Sequence, residues 1–116
     1  MKKILIVEDE ESLRESLKLI LEESKFEVET AGDGKEAIEQ LRKQRYDVVI
    51  LDNNLPFIQG EDLLGFIKMQ SFDTQIILMS GSFDNDTVEQ AKIKGVSLVV
   101  EKPFDYKIIT QYLDFE

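Results

Sequence analysis

Three polar groups in this sequence come straight after a short apolar run and a fourth one residue later, and together their side chains could support phosphoryl chemistry. Glu8-Asp9-Glu10-Glu11 follows Ile4-Leu5-Ile6-Val7, Asp52 follows Val48–Leu51, Ser80 follows Ile76–Met79, and Lys102-Pro103 comes after Leu98–Val100. Carboxylates gathered in one place repel one another and call for a cation. The chain has no cysteine and no histidine, so any metal must be held by oxygen, which selects magnesium, calcium or manganese. Magnesium commonly bridges a few carboxylates to phosphate oxygens. In such a site Asp52 is the carboxylate nucleophile, Lys102 a point charge on a phosphate, and the Ser80 hydroxyl a hydrogen-bond donor. Taken singly, each group has a plainer explanation: a solvated acidic turn, a turn at Asp52-Asn53-Asn54, a Ser80-Gly81-Ser82 loop, a surface lysine before a rigid bend. Their joint placement carries the reading.

For these residues to meet, the ends of separate runs must converge. Five short runs rich in β-branched residues, Lys3–Val7, Glu27–Thr30, Val48–Leu51, Ile76–Met79 and Leu98–Val100, alternate with amphipathic stretches, the pattern of a parallel α/β sheet. Three of the runs are almost continuously apolar, as strands covered on both faces are. Leu13, Leu17, Ile20 and Leu21 share one face of a first helix, with Ser12 as its cap. Asp33-Gly34 opens a second helix with Ala37, Ile38 and Leu41 inward, and Asp62 to Met69 forms a third carrying Leu63, Leu64 and Ile67. Asn85 to Lys94, with Val88 and Ala91 inward, is the fourth and ends at Gly95. A fifth begins after Pro103 and buries Ile108, Ile109, Tyr112 and Leu113. The sum is a (βα)5 chain, and right-handed crossovers leave few ways to arrange it. A doubly wound, flavodoxin-like sheet in the order 2-1-3-4-5 is expected, with its site at the carboxyl ends of the strands. Strands one, three and four are then neighbours, and Glu8 or Asp9 converges with Asp52 beneath Ser80 and Lys102.

The bulk properties agree with one domain over residues 1–116, without repeat or linker. No apolar run approaches the ~18 residues of a membrane span, and a cytoplasmic location is the default expectation. The net charge of −10 argues against direct nucleic-acid binding, which depends on neutralising phosphates.

Over essentially its whole length the sequence resembles the receiver domain of bacterial two-component response regulators. The matching stretches are Ile4 to Glu10, Ala31-Gly32-Asp33-Gly34-Lys35-Glu36-Ala37, Asp47 to Pro56 with Gly60, Met79-Ser80-Gly81, and Lys102-Pro103-Phe104. The resemblance implies that Asp52 accepts a phosphoryl group from a sensor histidine kinase, a phosphotransfer protein or a small donor. It implies that Asp9 binds Mg2+ directly, Glu8 through water, and Asn54 through its backbone carbonyl. Lys102 would pair with Asp52 before transfer and with the phosphoryl group afterwards. Ser80 would swing toward the phosphoryl oxygens and re-pose the face of the fourth helix, fifth strand and fifth helix for an output domain or downstream protein. Asn54 and Ser82 stand where the family tunes the lifetime of the acyl phosphate, and the chemistry is self-modification rather than turnover.

The sequence also departs from the family pattern. Val99 occupies the position, three residues before the lysine, where an aromatic often reports the switch, which implies a readout through loop or helix shifts. Asp114-Phe115-Glu116 puts acids at the negative end of the last helix, which suits a helix that continues in a longer protein, though a free-standing receiver with a frayed tail is the alternative. Other functions fit less well. An aspartyl phosphatase would want a second Asp at position 54, which is Asn. A nucleotide- or flavin-binding domain would want a glycine-rich loop where Glu8 to Glu11 stand. A pseudo-receiver that only binds proteins would be expected to lack an acid, the acceptor or the lysine, and none is lacking.

Overall fold

The structure, a computed structural model, describes residues 2–53, 60–71, 73–81 and 84–114, with Glu61 and Thr87 by backbone alone. Five strands, β1 (Lys3–Val7), β2 (Glu27–Ala31), β3 (Val48–Asp52), β4 (Gln75–Ser80) and β5 (Leu98–Glu101), alternate with five helices. These are α1 (Glu11–Glu23), α2 (Gly34–Lys43), α3 (Gly60–Gln70), α4 (Asn85–Ile93) and α5 (Tyr106–Asp114). All four strand pairings are parallel and the order is β2-β1-β3-β4-β5, the doubly wound topology expected from the sequence.

Alternation along the strands divides the core into two layers. Leu5, Val7, Val49, Leu51, Leu78 and Val99 face Ala37 of α2, Leu63, Leu64 and Ile67 of α3, and Ala91 of α4. Ile4, Ile6, Val48, Ile50, Ile77, Met79 and Val100 face Leu17 and Leu21 of α1 and Ile109 and Leu113 of α5. All five residues of β3 are buried, as a central strand covered on both faces must be. Each such side chain contributes roughly 1.5–3 kcal/mol through its removal from water. That packing fixes the height at which the strands end.

Four strands continue one residue past their apolar runs at the carboxyl end, through Ala31, Asp52, Ser80 and Glu101. Asp52 and Ser80 are therefore the last residues of β3 and β4, opposite Met79 and Glu101 in the ladder. A polar residue can close a buried strand because its backbone still pairs while its side chain turns toward the sheet's edge.

Several helix details differ from expectation. Ser12 does not cap α1, which begins at Glu11 after an extended Glu10. Glu8 Oε2 accepts the Glu10 N–H at 3.2 Å, so the turn folds back early and the helix starts before Ser12. Ile108 is 46% exposed rather than buried, because Ile109 and Leu113 lie one turn apart on the inward face and Ile108 is rotated off it. Helix α3 is longer than the expected Asp62 to Met69, and α4 ends at Ile93, one residue before Lys94. Asp33 does cap α2, accepting the Glu36 N–H at 2.8 Å, and Gly95 follows α4 at φ +97°.

Candidate functional site

At the carboxyl edge of the sheet, β1 delivers Glu8 and Asp9, β3 delivers Asp52, β4 delivers Ser80, and the turn after β5 delivers Lys102. The neighbouring positions of β1, β3 and β4 bring the first four together, as the strand order requires. Carboxylate oxygens of Glu8, Asp9 and Asp52 lie within 4.8 Å of one another. Glu8 is fully buried, Asp52 nearly so, and Asp9 is exposed. This donor set is entirely oxygen, of the kind a hard divalent cation takes. The outward Asp9 leaves a path from solvent.

Lys102 closes the other side. Its Nζ lies 2.6 Å from Glu8 Oε1 and 3.3 Å from Asp52 Oδ2. The lysine expected to pair with Asp52 thus makes its shorter contact to Glu8, which is the more deeply enclosed acid. Lys102 is anchored by its own backbone N–H, donated to the Ser80 carbonyl at 2.8 Å, so the end of β4 and the turn after β5 are tied at the site itself. Ser80 is buried at the end of β4. The Asn53 N–H donates to the Met79 carbonyl at 2.9 Å and keeps β3 paired with β4 just past Asp52. Asn54 and Ser82 lie outside the described residues.

The electrostatics follow from this enclosure. Burial above all, with the Asp52 carboxylate beside it, pushes Glu8 up to about 7, against the opposing pull of Lys102. A hydrogen bond with Glu8 holds Asp9 below the usual carboxylate range. Burial alone would lower Lys102, but its hydrogen bond to Glu8 and the charge of Asp52 outweigh that and keep the ammonium above its ordinary value. Three acids and one firmly charged lysine thus share a small volume. Burial raises the proton affinity of Glu8 and its hydrogen bond lowers that of Asp9, so the two neighbouring acids respond oppositely to the same enclosure.

One contributor was not singled out in the sequence. Arg14, in the first turn of α1, donates from Nη1 to the Glu8 carbonyl oxygen at 3.0 Å. An arginine one helical turn after an acidic strand exit was the signal available, but sequence alone did not say which way it pointed.

A βαβ sheet of this order, with an acid cluster, an aspartate on its central strand and a lysine beyond the fifth, defines the receiver class of α/β proteins. The family model for the response regulator receiver domain matches residues 4–114, and the chain belongs to that family, whose members act as switches in two-component signalling. Among curated relatives, the transcriptional regulatory protein CrdR of Helicobacter pylori is 37% identical over 105 residues, covering 90% of this chain and 49% of CrdR. The cell cycle transcriptional regulator CtrA of Caulobacter vibrioides is 30% identical over 102 residues, covering 88% of this chain and 44% of CtrA. The chain therefore spans about half the length of the curated relatives it matches. Among solved structures, the chemotaxis response regulator CheY4 of Vibrio cholerae superposes with a TM-score of 0.92 at 31% identity, with 99% of this chain and 98% of that one covered. The response regulator TrrA of Thermotoga maritima, solved in complex with Mg(2+)-BeF, gives 0.86 at 32% identity, with the same coverage.

Proposed function

We propose that this chain is a phosphorylation-dependent signalling switch in which Asp52 accepts a phosphoryl group in a Mg2+-dependent reaction. The observation that supports this most directly is the position of Asp52, within 4.8 Å of the Glu8 and Asp9 carboxylates and 3.3 Å from the Lys102 ammonium that also pairs with Glu8. There the carboxylate faces a lysine ammonium and two further acids that could share a cation with it.

In the proposed reaction an Asp52 carboxylate oxygen attacks the phosphorus of a phosphohistidine on a sensor kinase or phosphotransfer protein. The new P–O bond forms as the P–N bond breaks, and the imidazole leaves and takes up a proton. Asp9, Asp52 and the backbone carbonyl of Asn54 would hold Mg2+, with Glu8 behind them. The ion would supply charge neutralisation for the incoming phosphoryl oxygens. Lys102 sits where it can exchange its Asp52 contact for a phosphoryl oxygen, and the Ser80 hydroxyl is the donor on the β4 side. Moving Ser80 pulls the loop before α4, and the surface of α4, β5 and α5 is what an output domain or downstream protein would read. Val99 is buried on the α4 side of β5, so the readout runs through those helix shifts rather than an aromatic rotamer. Water attack on the acyl phosphate would reset the switch. A cytoplasmic setting, where such kinases present their phosphohistidine, fits a chain whose described helices include none long and apolar enough to cross a membrane.

The test is intact mass after incubation with acetyl phosphate and Mg2+. Wild type should gain one phosphoryl group, and Asp52→Asn or wild type in EDTA should gain none. If wild type stays unmodified even with a competent donor kinase, the acceptor role is wrong, and a phosphorylation-independent binding module takes its place.

A further inference from the structure

The geometry points to Arg14 as a positioning residue that holds the acidic turn in its metal-binding conformation, an inference that rests on the Mg2+ reading of the site. Glu8 is the residue at which β1 leaves the ladder, and its backbone is gripped at both ends. Its N–H donates to the Ala31 carbonyl at 3.1 Å, the last tie to β2. Among the described residues its carbonyl has no strand partner in register, and the Arg14 guanidinium supplies one at 3.0 Å. A free peptide at this point would let Asp9 rotate with it, because the Glu8 carbonyl and the Asp9 N–H belong to one rigid plane. Holding that oxygen therefore sets the direction in which Asp9 leaves the sheet.

The guanidinium reaches this place through a slot that the sequence leaves open. A β-carbon on Gly32 would stand 3.2 Å from Arg14 Nη1, closer than such contacts ordinarily are. Gly32 is itself fixed, since its N–H donates to Glu36 Oε2 at 3.0 Å in the turn that opens α2. The Arg14 side chain is only 18% exposed, and its one ion pair among the described residues, to Glu15 at 3.8 Å, is long. Its shorter, partly buried hydrogen bond to the Glu8 carbonyl is the stronger reason for its pose. The same turn is closed from inside by the Glu10 N–H on Glu8 Oε2. Partners of this kind, one step behind a metal's ligands, typically change affinity by 10–100-fold when removed.

The experiment titrates Mg2+ into the full chain by calorimetry, for wild type, Arg14→Ala, Arg14→Lys and Gly32→Ala, with thermal unfolding in EDTA alongside. Arg14→Ala should bind Mg2+ about 10–100-fold more weakly. Gly32→Ala, which leaves the arginine in place but crowds its slot, should weaken binding about three- to tenfold. Arg14→Lys, which keeps the charge and one donor, should recover part of the loss. Amide exchange at Glu10 in EDTA reads the turn without any metal and should quicken at least about tenfold in Arg14→Ala. Variants that unfold at lower temperature yet bind Mg2+ as wild type does, with Glu10 still protected, would reduce Arg14 to a stabilising contact and overturn the inference. A wild type that binds no Mg2+ would instead remove the metal reading, and Glu10 exchange would then decide the role of Arg14 by itself. Should Arg14→Ala fail to fold, Gly32→Ala and Arg14→Lys carry the same comparison.

Discussion

Glu8 and Asp9 are adjacent in the chain and opposite in environment, and that contrast gives the site a pH dependence. Glu8 is enclosed and sits beside Asp52, so its folded-state value is raised from 4.5 to about 7. An acid raised on folding binds its proton more tightly in the native state than in the unfolded chain. Its contribution to stability is therefore fully present below about 4.5 and is lost as pH rises through about 7. In EDTA, the unfolding temperature of wild type should fall between about pH 5 and about pH 8 by roughly 3–8 °C more than that of Glu8→Gln, which carries no titrating carboxyl. With saturating Mg2+ the trend should reverse, because binding a cation at this site expels the Glu8 proton and is favoured at high pH. Parallel slopes for wild type and Glu8→Gln in EDTA would show that Lys102 neutralises Glu8 more completely than its burial suggests. The residue types of this site were legible in order from the sequence, since each follows a strand. It did not reveal that Lys102 would lie nearer Glu8 than Asp52, or that Arg14 would reach back to β1. Both depend on side-chain direction at the sheet edge, which strand order alone leaves open.

At the scale of elements, the strands were legible because burial on both faces demands near-continuous apolar runs, and β1, β3 and β4 supply them. Helix ends were less legible. Ser12 looked like a cap by residue type, but the entry of α1 is set by the Glu8–Glu10 turn, a contact between residues that no propensity describes. The two helix exits at α1 and α4 show the same limit. After α4, the Gly95 N–H donates to the Lys92 carbonyl and the Val96 N–H to the Ala91 carbonyl, with Gly95 at φ +97°. After α1, the Lys25 N–H donates to the Glu22 carbonyl and the Phe26 N–H to the Leu21 carbonyl, with Lys25 at φ +73°. These are two copies of one C-terminal motif, the first with the residue it prefers and the second without. Only the glycine announced itself in the sequence. Lys25 bears a β-carbon in a left-handed conformation, at a cost of about 1 kcal/mol. Lys25→Gly should therefore stabilise the domain by roughly 0.5–1 kcal/mol in urea unfolding, and Gly95→Ala should destabilise it by about 1 kcal/mol or more. A loss of stability in Lys25→Gly would mean that the flexibility glycine adds to the unfolded chain exceeds the relief of strain in the folded one.

At the scale of the whole molecule, the net charge of −10 is not spread evenly along the strand direction. The carboxyl edge of the sheet carries Glu8, Asp9, Glu10, Glu11, Asp33, Asp52, Asp84, Asp86, Glu101 and Asp105, at strand ends and helix starts, against Arg14, Lys35, Lys102 and Lys107. The opposite edge holds Lys2, Lys3, Lys25, Arg42, Lys43, Arg45, Lys68, Lys92 and Lys94 against Glu22, Glu23, Glu27, Asp47, Asp73 and Asp114. Acids in the first turns of α1, α2 and α4 and bases in the last turns of α2, α3 and α4 suit the helix dipoles, while Glu22, Glu23 and Asp114 oppose them. The consequence for the proposed reaction is electrostatic: a small anionic phosphodonor must approach the acidic edge, whereas a donor protein can present basic residues to it. Charges on that scale are screened over about 10 Å at ~0.1 M salt. With Mg2+ kept saturating, raising KCl from about 20 to about 200 mM should speed phosphorylation by acetyl phosphate roughly two- to fivefold. The same change should slow transfer from a donor protein whose docking surface is basic. Stopped-flow rates for the two donors across one salt series make the comparison. If acetyl phosphate also slows as salt rises, the Lys102 ammonium and bound cation dominate the field a small donor meets, and the acidic rim acts only on partners large enough to touch it.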